Sequence, residues 1–182
     1  MNLQVPESIT FEDAIALTQS FLNNLSTDEL EEKEIQATIT SLVKTENGAR
    51  GFFVTYLTDD RTLADNPSNG VIEALKTSPE IVDELLVKNL AMSSAMAIAH
   101  RRNKDEESAK GSDSVRQRTA YLIKQLHSDL IANKLKELSK SAATGEGEYQ
   151  AFLKRWGYDE EQKKVIQKAI SDVLTQVANY KY

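Results

Sequence analysis

The stretch S-P-E-I-V-D-E-L-L-V-K-N-L-A-M-S-S-A-M-A-I-A-H-R-R-N, Ser78 to Asn103, decides the fold. Ser78 suits a helix N-cap and Pro79 the first helical position. Glu80, Asp83 and Glu84 complement the positive end of the dipole. Apolar residues recur at Ile81, Val82, Leu85, Leu86 and Leu90, and from Leu90 to Ala99 no charge falls on any face. There Ala91, Ser93, Ser94, Ala95, Ala97 and Ala99 alternate with Met92, Met96 and Ile98. A helix that is apolar all round belongs inside a bundle, with neighbours close against its small residues. The expected fold is therefore all-α: a multi-helix bundle around a buried central helix at about 78–103, in one domain over residues 1–182.

Working outward, a first helix is expected from about Phe11 to Leu25, with Thr10 as N-cap and Phe11, Ala14, Ile15, Phe21, Leu22 and Leu25 inward. Ser26 followed by Glu29 has the spacing of a capping box for a second helix carrying Leu30, Ile35, Ile39, Leu42 and Val43. Val71–Lys76 reads as a short helix leading into the central one. Val115 to about Ser141 reads as one long helix capped by Ser112 or Ser114. The aromatic turn Tyr149-Phe152-Leu153-Trp156 stops at Gly157, with Phe152 and Trp156 expected in the core. A last helix, capped by Asp159, carries Val165, Ile166, Ala169, Ile170, Val173, Leu174 and Val177.

One segment reads two ways. Asn47-Gly48 suits the end of the second helix, yet it is also a hairpin signal before G-F-F-V-T-Y-L-T, Gly51 to Thr58. The helix is preferred, because Leu30–Ala37 is rich in Glu, Lys and Gln, no third strand is evident, and an isolated hairpin is marginal.

Composition limits function more than it reveals it. The chain has 182 residues, 40% hydrophobic and 27% charged, ordinary for a soluble globular domain. There is no cysteine, which excludes thiolate metal sites, cysteine nucleophiles and disulfides. Met1–Thr10 lacks a basic start followed by an apolar run, and Leu90–Ala99 is about half the roughly 20 residues a bilayer span needs. A cytoplasmic protein without a membrane span is expected. The net charge of −6 comes from the first segment: residues 1–34 carry −7 and the remainder +1. That acidity makes nucleic acid an unexpected partner.

No constellation for catalysis is visible. G-x-x-x-x-G-K-[ST] and G-x-S-x-G are absent, and Gly145-Glu146-Gly147 lacks a third glycine and follows a helix. A dimetal carboxylate bundle needs Glu-x-x-His pairs, but Ala97 and Lys124 stand three before His100 and His127. Glu31, Glu32 and Glu34 read as solvated side chains, His127 as a residue at the edge of an apolar face. No metal, cofactor or catalytic residue is therefore assigned.

The one candidate site is basic. His100, Arg101 and Arg102 end the central helix, and Arg116 and Arg118 begin the next after an antiparallel return. Gathered together, these side chains form an expected ligand- or partner-binding site for carboxylate or phosphate. Within Ala99–Arg118, six Lys or Arg face four Asp or Glu, so internal pairing competes with that role. Tyr180 and Tyr182 either pin the terminus or present a small docking surface.

Two segments together, R-G-F-F-V-T-Y-L-T-D-D-R (Arg50–Arg61) and Ser78–Asn103, resemble a family of small helical proteins from photosynthetic bacteria with no assigned activity. The resemblance covers about the middle third of the chain and transfers no site residues. The expected function is that of a non-enzymatic adaptor, assembly or regulatory protein acting through its surface on another protein. The alternative is a small-ligand-binding bundle, with an anionic ligand, or an enzyme with an unfamiliar site near the end of the central helix. In that case Met92 and Met96 line a cavity.

Overall fold

Residues 4–27 and 30–179 are described by a computed structural model, and among them every regular element is helical. The chain forms two compact units, one up to Leu85 and one from Leu86.

In the first unit, α1 (Phe11–Ser26) packs on α3 (Glu46–Thr58), and α2 (Glu32–Val43) packs on both α3 and α4 (Asn69–Leu75). Thr10 caps α1 as its sequence suggests, its hydroxyl accepting from Asp13 N at 3.1 Å. The capping box of α2 is not Ser26–Glu29. α1 runs through Ser26, Glu29 lies outside the described residues, and Glu31 N donates to Glu34 Oε2 at 3.0 Å instead. Nor is Glu32 simply solvated. Its Oε2 accepts from Gly70 N at 2.5 Å and Ser68 Oγ at 3.0 Å, so α2 caps the start of α4.

Asn47-Gly48 is neither a C-cap nor a hairpin turn. Thr45 caps α3, accepting from Gly48 N at 3.1 Å, and both residues sit in its first turn. Glycine is required there by contact: a Cβ at residue 48 would lie 2.0 Å from the Leu42 carbonyl oxygen. Phe52–Thr58 is helix, as preferred, with Phe52, Phe53, Tyr56 and Leu57 buried. Gly51 brings α3 against α1; a Cβ on it would meet Ala14 Cβ at 2.4 Å. Arg61 closes the unit. It grips Asp59 with two bonds of 2.7 and 2.6 Å and donates to Leu22 O and Asn23 Oδ1 near the end of α1. The D-D-R sequence is thus a structural clasp.

The helix α5 (Pro79–Arg102) carries the division between the units. Val82, Leu86, Val87, Leu90, Ala91, Ala95 and Ala97 are buried, as the apolar run predicts. Buried Ser93 and Ser94 donate to Asn89 O and Leu90 O at 2.6 and 2.7 Å, satisfying their hydroxyls inside the helix. Met96, however, is 39% exposed, so the neutral stretch has one face in solvent.

In the second unit, α6 (Glu106–Leu126) and α7 (Asp129–Thr144) replace the single long helix expected from Val115 to Ser141. His127 adopts the left-handed conformation (φ 49°) and ends α6; Ser128 then caps α7, accepting from Ile131 N at 3.2 Å. α6 also begins earlier than its serines suggested, because Asp105 caps it through Ser108 N at 3.0 Å. α9 (Glu160–Asn179) packs on α6 and α7, and α8 (Gln150–Trp156) packs on α7. Asp159 and Gln162 form a reciprocal cap at the start of α9, with bonds of 3.0 and 3.1 Å. Gln162 Nε2 also donates to Ala95 O at 3.2 Å, which brings the first turn of α9 up to the small residues of α5. Tyr180 and Tyr182 lie outside the described residues.

Candidate functional site

Where α5 ends, the backbone turns by a Schellman motif. Lys104 is left-handed (φ 58°), Asp105 N bonds to His100 O at 2.9 Å, and Lys104 N to Arg101 O at 3.0 Å. The return brings the first turns of α6 within reach of the end of α5, and two of the arginines converge. Arg101 Nη2 donates to Asp113 Oδ2 at 2.7 Å and to Glu106 Oε1 at 3.1 Å. Arg116 Nη2 reaches the other oxygen of the same carboxylate, Asp113 Oδ1, at 3.4 Å.

Arg102 turns away to another partner. It holds Asp159 Oδ2 at 2.5 Å and Oδ1 at 3.3 Å, and it contacts Glu161. These bonds fasten α5 to the start of α9. The Arg102 guanidinium, helped by Gln162 N, holds the Asp159 carboxyl down at about 2. Bonding to carboxylates raises both Arg101 and Arg102 above the ordinary arginine value. His100 Nδ1 lies 4.0 Å from Asp105 Oδ2, and hydrogen bonds from Ser108 keep that carboxyl below its usual range. Arg118, two residues past Arg116, lies about 200° round the helix from it.

Three guanidinium groups thus face four carboxylates, Glu106, Asp113, Asp159 and Glu161. The positive potential that would attract an external anion is largely cancelled on the spot. Such exposed pairs each contribute little to stability, but together they join three helices.

A different surface keeps its cations free. The last turn of α8 exposes Lys154, Arg155 and Trp156, while Leu153 and Tyr149 face inward. Trp156 is 49% exposed, against the expectation that it joins the core. The helix stops directly after it, at left-handed Gly157 (φ 62°). Lys154 and Arg155 have no ion pair or hydrogen bond to any side chain among the described residues. Phe152 steadies the helix from below, with Tyr149 and Tyr158 edge-on at 6.4 and 6.2 Å and Lys88 Nζ 5.8 Å above its ring. Sequence reasoning missed this surface because Tyr149, Leu153 and Trp156 share helical spacing, and only the helix end separates them.

Among the described residues, no group of three His, Asp or Glu side chains is placed to hold a metal ion. No helix among them is long and apolar enough to cross a membrane. A family model described as uncharacterised conserved protein UCP020893 matches residues 10–173. No curated protein and no solved structure matches the chain.

Proposed function

The chain belongs to the family of uncharacterised conserved protein UCP020893, and we propose that it is a non-enzymatic adaptor or regulatory protein that docks a partner on the end of α8. The observation that carries this reading is a half-exposed tryptophan flanked by two cations with no partner among the described residues. Tryptophan and arginine are the side chains that most often anchor interfaces, and free cations beside them select an acidic partner. The occupant is an acidic segment of another protein bearing an apolar residue for Trp156. One helical turn offers a small contact, which suits a transient rather than an obligate complex. The arginines at the end of α5 serve the fold in this reading, because their charge is already matched.

Occurrence in photosynthetic bacteria and a cytoplasmic location belong to the same reading. The first is supported by the likeness of Arg50–Arg61 and Ser78–Asn103, the second by a chain without cysteine. Fractionation of source cells checks the compartment.

The test is partner capture from a native extract by the wild-type chain, by Trp156→Ala and by Lys154→Glu/Arg155→Glu. A defined partner should come with the wild type and be lost from both variants. Loss of an interface anchor costs about 2 kcal/mol, roughly 30-fold in affinity. The partner should also leave at about 1 M salt, where the screening length is ~3 Å. Equal recovery by wild type and variants removes α8 from the account.

A further inference from the structure

A cleft of about 350 Å³ opens beside α8, walled by Ser141 of α7, by Leu153 and Lys154 of α8, and by Gly157, Tyr158 and Lys163 at the turn into α9. That volume lies at the lower end of the range in which small-molecule sites are found. Three features of its wall bear on what would fill it. First, both of its charged side chains are cations. Lys154 has no partner among the described residues, and Lys163 is engaged only by Glu160, its own neighbour on α9, at 3.0 Å. Second, Leu153 and the Tyr158 ring, buried at 4% and 8% exposure, give the cleft an apolar wall.

Third, Tyr158 carries a polar atom that is not satisfied. Its hydroxyl is buried and has no hydrogen-bond partner among the described residues. A buried polar group left unpaired costs the fold its desolvation, so its presence calls for an explanation. Burial pushes the Tyr158 phenol up to about 12, so at neutral pH it retains its proton and is a donor waiting for an acceptor. Phenylalanine would fill the same space without that cost. Tyr158 lines the cleft and carries this unpaired donor, and two cations and an apolar wall beside it make the complement of an anion attached to an apolar body.

We propose that this cleft binds a small organic anion, with Lys154 and Lys163 holding its charged group and the Tyr158 hydroxyl donating to it. The apolar body of the ligand lies against Leu153 and the Tyr158 ring. Carboxylates and phosphate monoesters share this chemistry, and the experiment separates them. The inference shares Lys154 with the docking surface on α8, but its test is separate, since it concerns the isolated chain with no protein partner present.

The test is titration of the whole chain with benzoate, phenyl phosphate, neutral benzyl alcohol and inorganic phosphate, read by thermal shift and calorimetry. One or both aromatic anions should bind saturably and raise the melting temperature, and the stronger of the two identifies the anionic group. Lys154→Gln/Lys163→Gln should weaken that binding at least about ten-fold, in line with the loss of charge-assisted bonds. Tyr158→Phe should weaken it about five-fold while the unliganded variant melts no lower than wild type. That pairing distinguishes a ligand-directed hydroxyl from a structural one, and the double lysine variant supplies a second readout if Tyr158→Phe behaves unexpectedly. Benzyl alcohol binding as well as the anions, inorganic phosphate binding as well as phenyl phosphate, or no saturable binding by either aromatic anion would each overturn the proposal. So would a Tyr158→Phe protein that is clearly less stable yet binds phenyl phosphate unchanged.

Discussion

Two glycine-to-alanine changes, both inside helices, should shift stability in opposite directions. In α6 a Cβ on Gly111 meets nothing within 4 Å, so Gly111→Ala gains helix propensity without a clash. The gain is about 0.5–1 kcal/mol, and for a chain of this length about 2–4 °C per kcal/mol in melting temperature. In α3 a Cβ on Gly51 would sit 2.4 Å from Ala14 Cβ and 3.0 Å from both Ala14 C and Ile15 N of α1. Carbon atoms pack at about 3.5–4.0 Å, so α1 and α3 must part by roughly 1 Å. Two of the three obstructing atoms are backbone, and no rotamer change relieves them. Overpacking costs about 1–3 kcal/mol. With the upper end of that range and the propensity gain subtracted, Gly51→Ala should lose about 2 kcal/mol. Urea unfolding followed by far-UV circular dichroism measures both variants on the same scale. Adding Ala14→Gly to Gly51→Ala should return part of the loss, since it removes the nearest of the three contacts. A Gly51→Ala protein as stable as Gly111→Ala would refute the close approach of α1 and α3.

Three further outcomes follow from the second unit. Asp159 is held at about 2 by Arg102, below the ~3.9 of an unfolded chain. Its contribution is therefore present above pH ~4 and is lost as pH falls toward 2; carboxyl NMR should show that midpoint, and Arg102→Gln should move it upward. Reversing Arg101 and Arg116 to glutamate places them beside Glu106 and Asp113, so the melting temperature should fall while partner capture by α8 persists. Capture lost with an unchanged melting temperature would instead make the arginines the binding site. Thr119 is fully buried and its hydroxyl has no partner among the described residues, so Thr119→Val should stabilise by about 1 kcal/mol in thermal unfolding.

Much of the fold was legible because helices announce themselves by apolar spacing and by caps within a few residues. Thr10, Pro79, Gly157 and Asp159 mark helix ends where the sequence places them. The break at His127 was hidden because Leu122, Leu126 and Leu130 keep helical spacing through it. The structure buries Ile131 instead, and the register shift at Ser128 shows only once α7 has packed. At Asn47-Gly48 the local turn signal misled, since the glycine answers to a contact with Leu42 rather than to a turn. The meeting of Arg101 and Arg116 followed from the antiparallel return. Their neutralisation was only half visible: Glu106 and Asp113 are near in sequence, but Asp159 and Glu161 reach Arg102 through the packing of α9. The cleft was invisible for the same reason, since Ser141, Leu153, Tyr158 and Lys163 converge only in three dimensions.

Because Trp156 is the single tryptophan of the chain, its fluorescence reports directly on the proposed docking surface. The measurement is acrylamide quenching of that emission, excited to the red of tyrosine, with and without an acidic glutamate–tyrosine copolymer as the probe. The half-exposed indole should quench readily in the free protein and become protected when the copolymer binds. Protection should disappear in Arg155→Glu and at about 1 M salt. Quenching that the copolymer leaves unaltered, or protection that survives Arg155→Glu, would contradict docking of an acidic segment on α8.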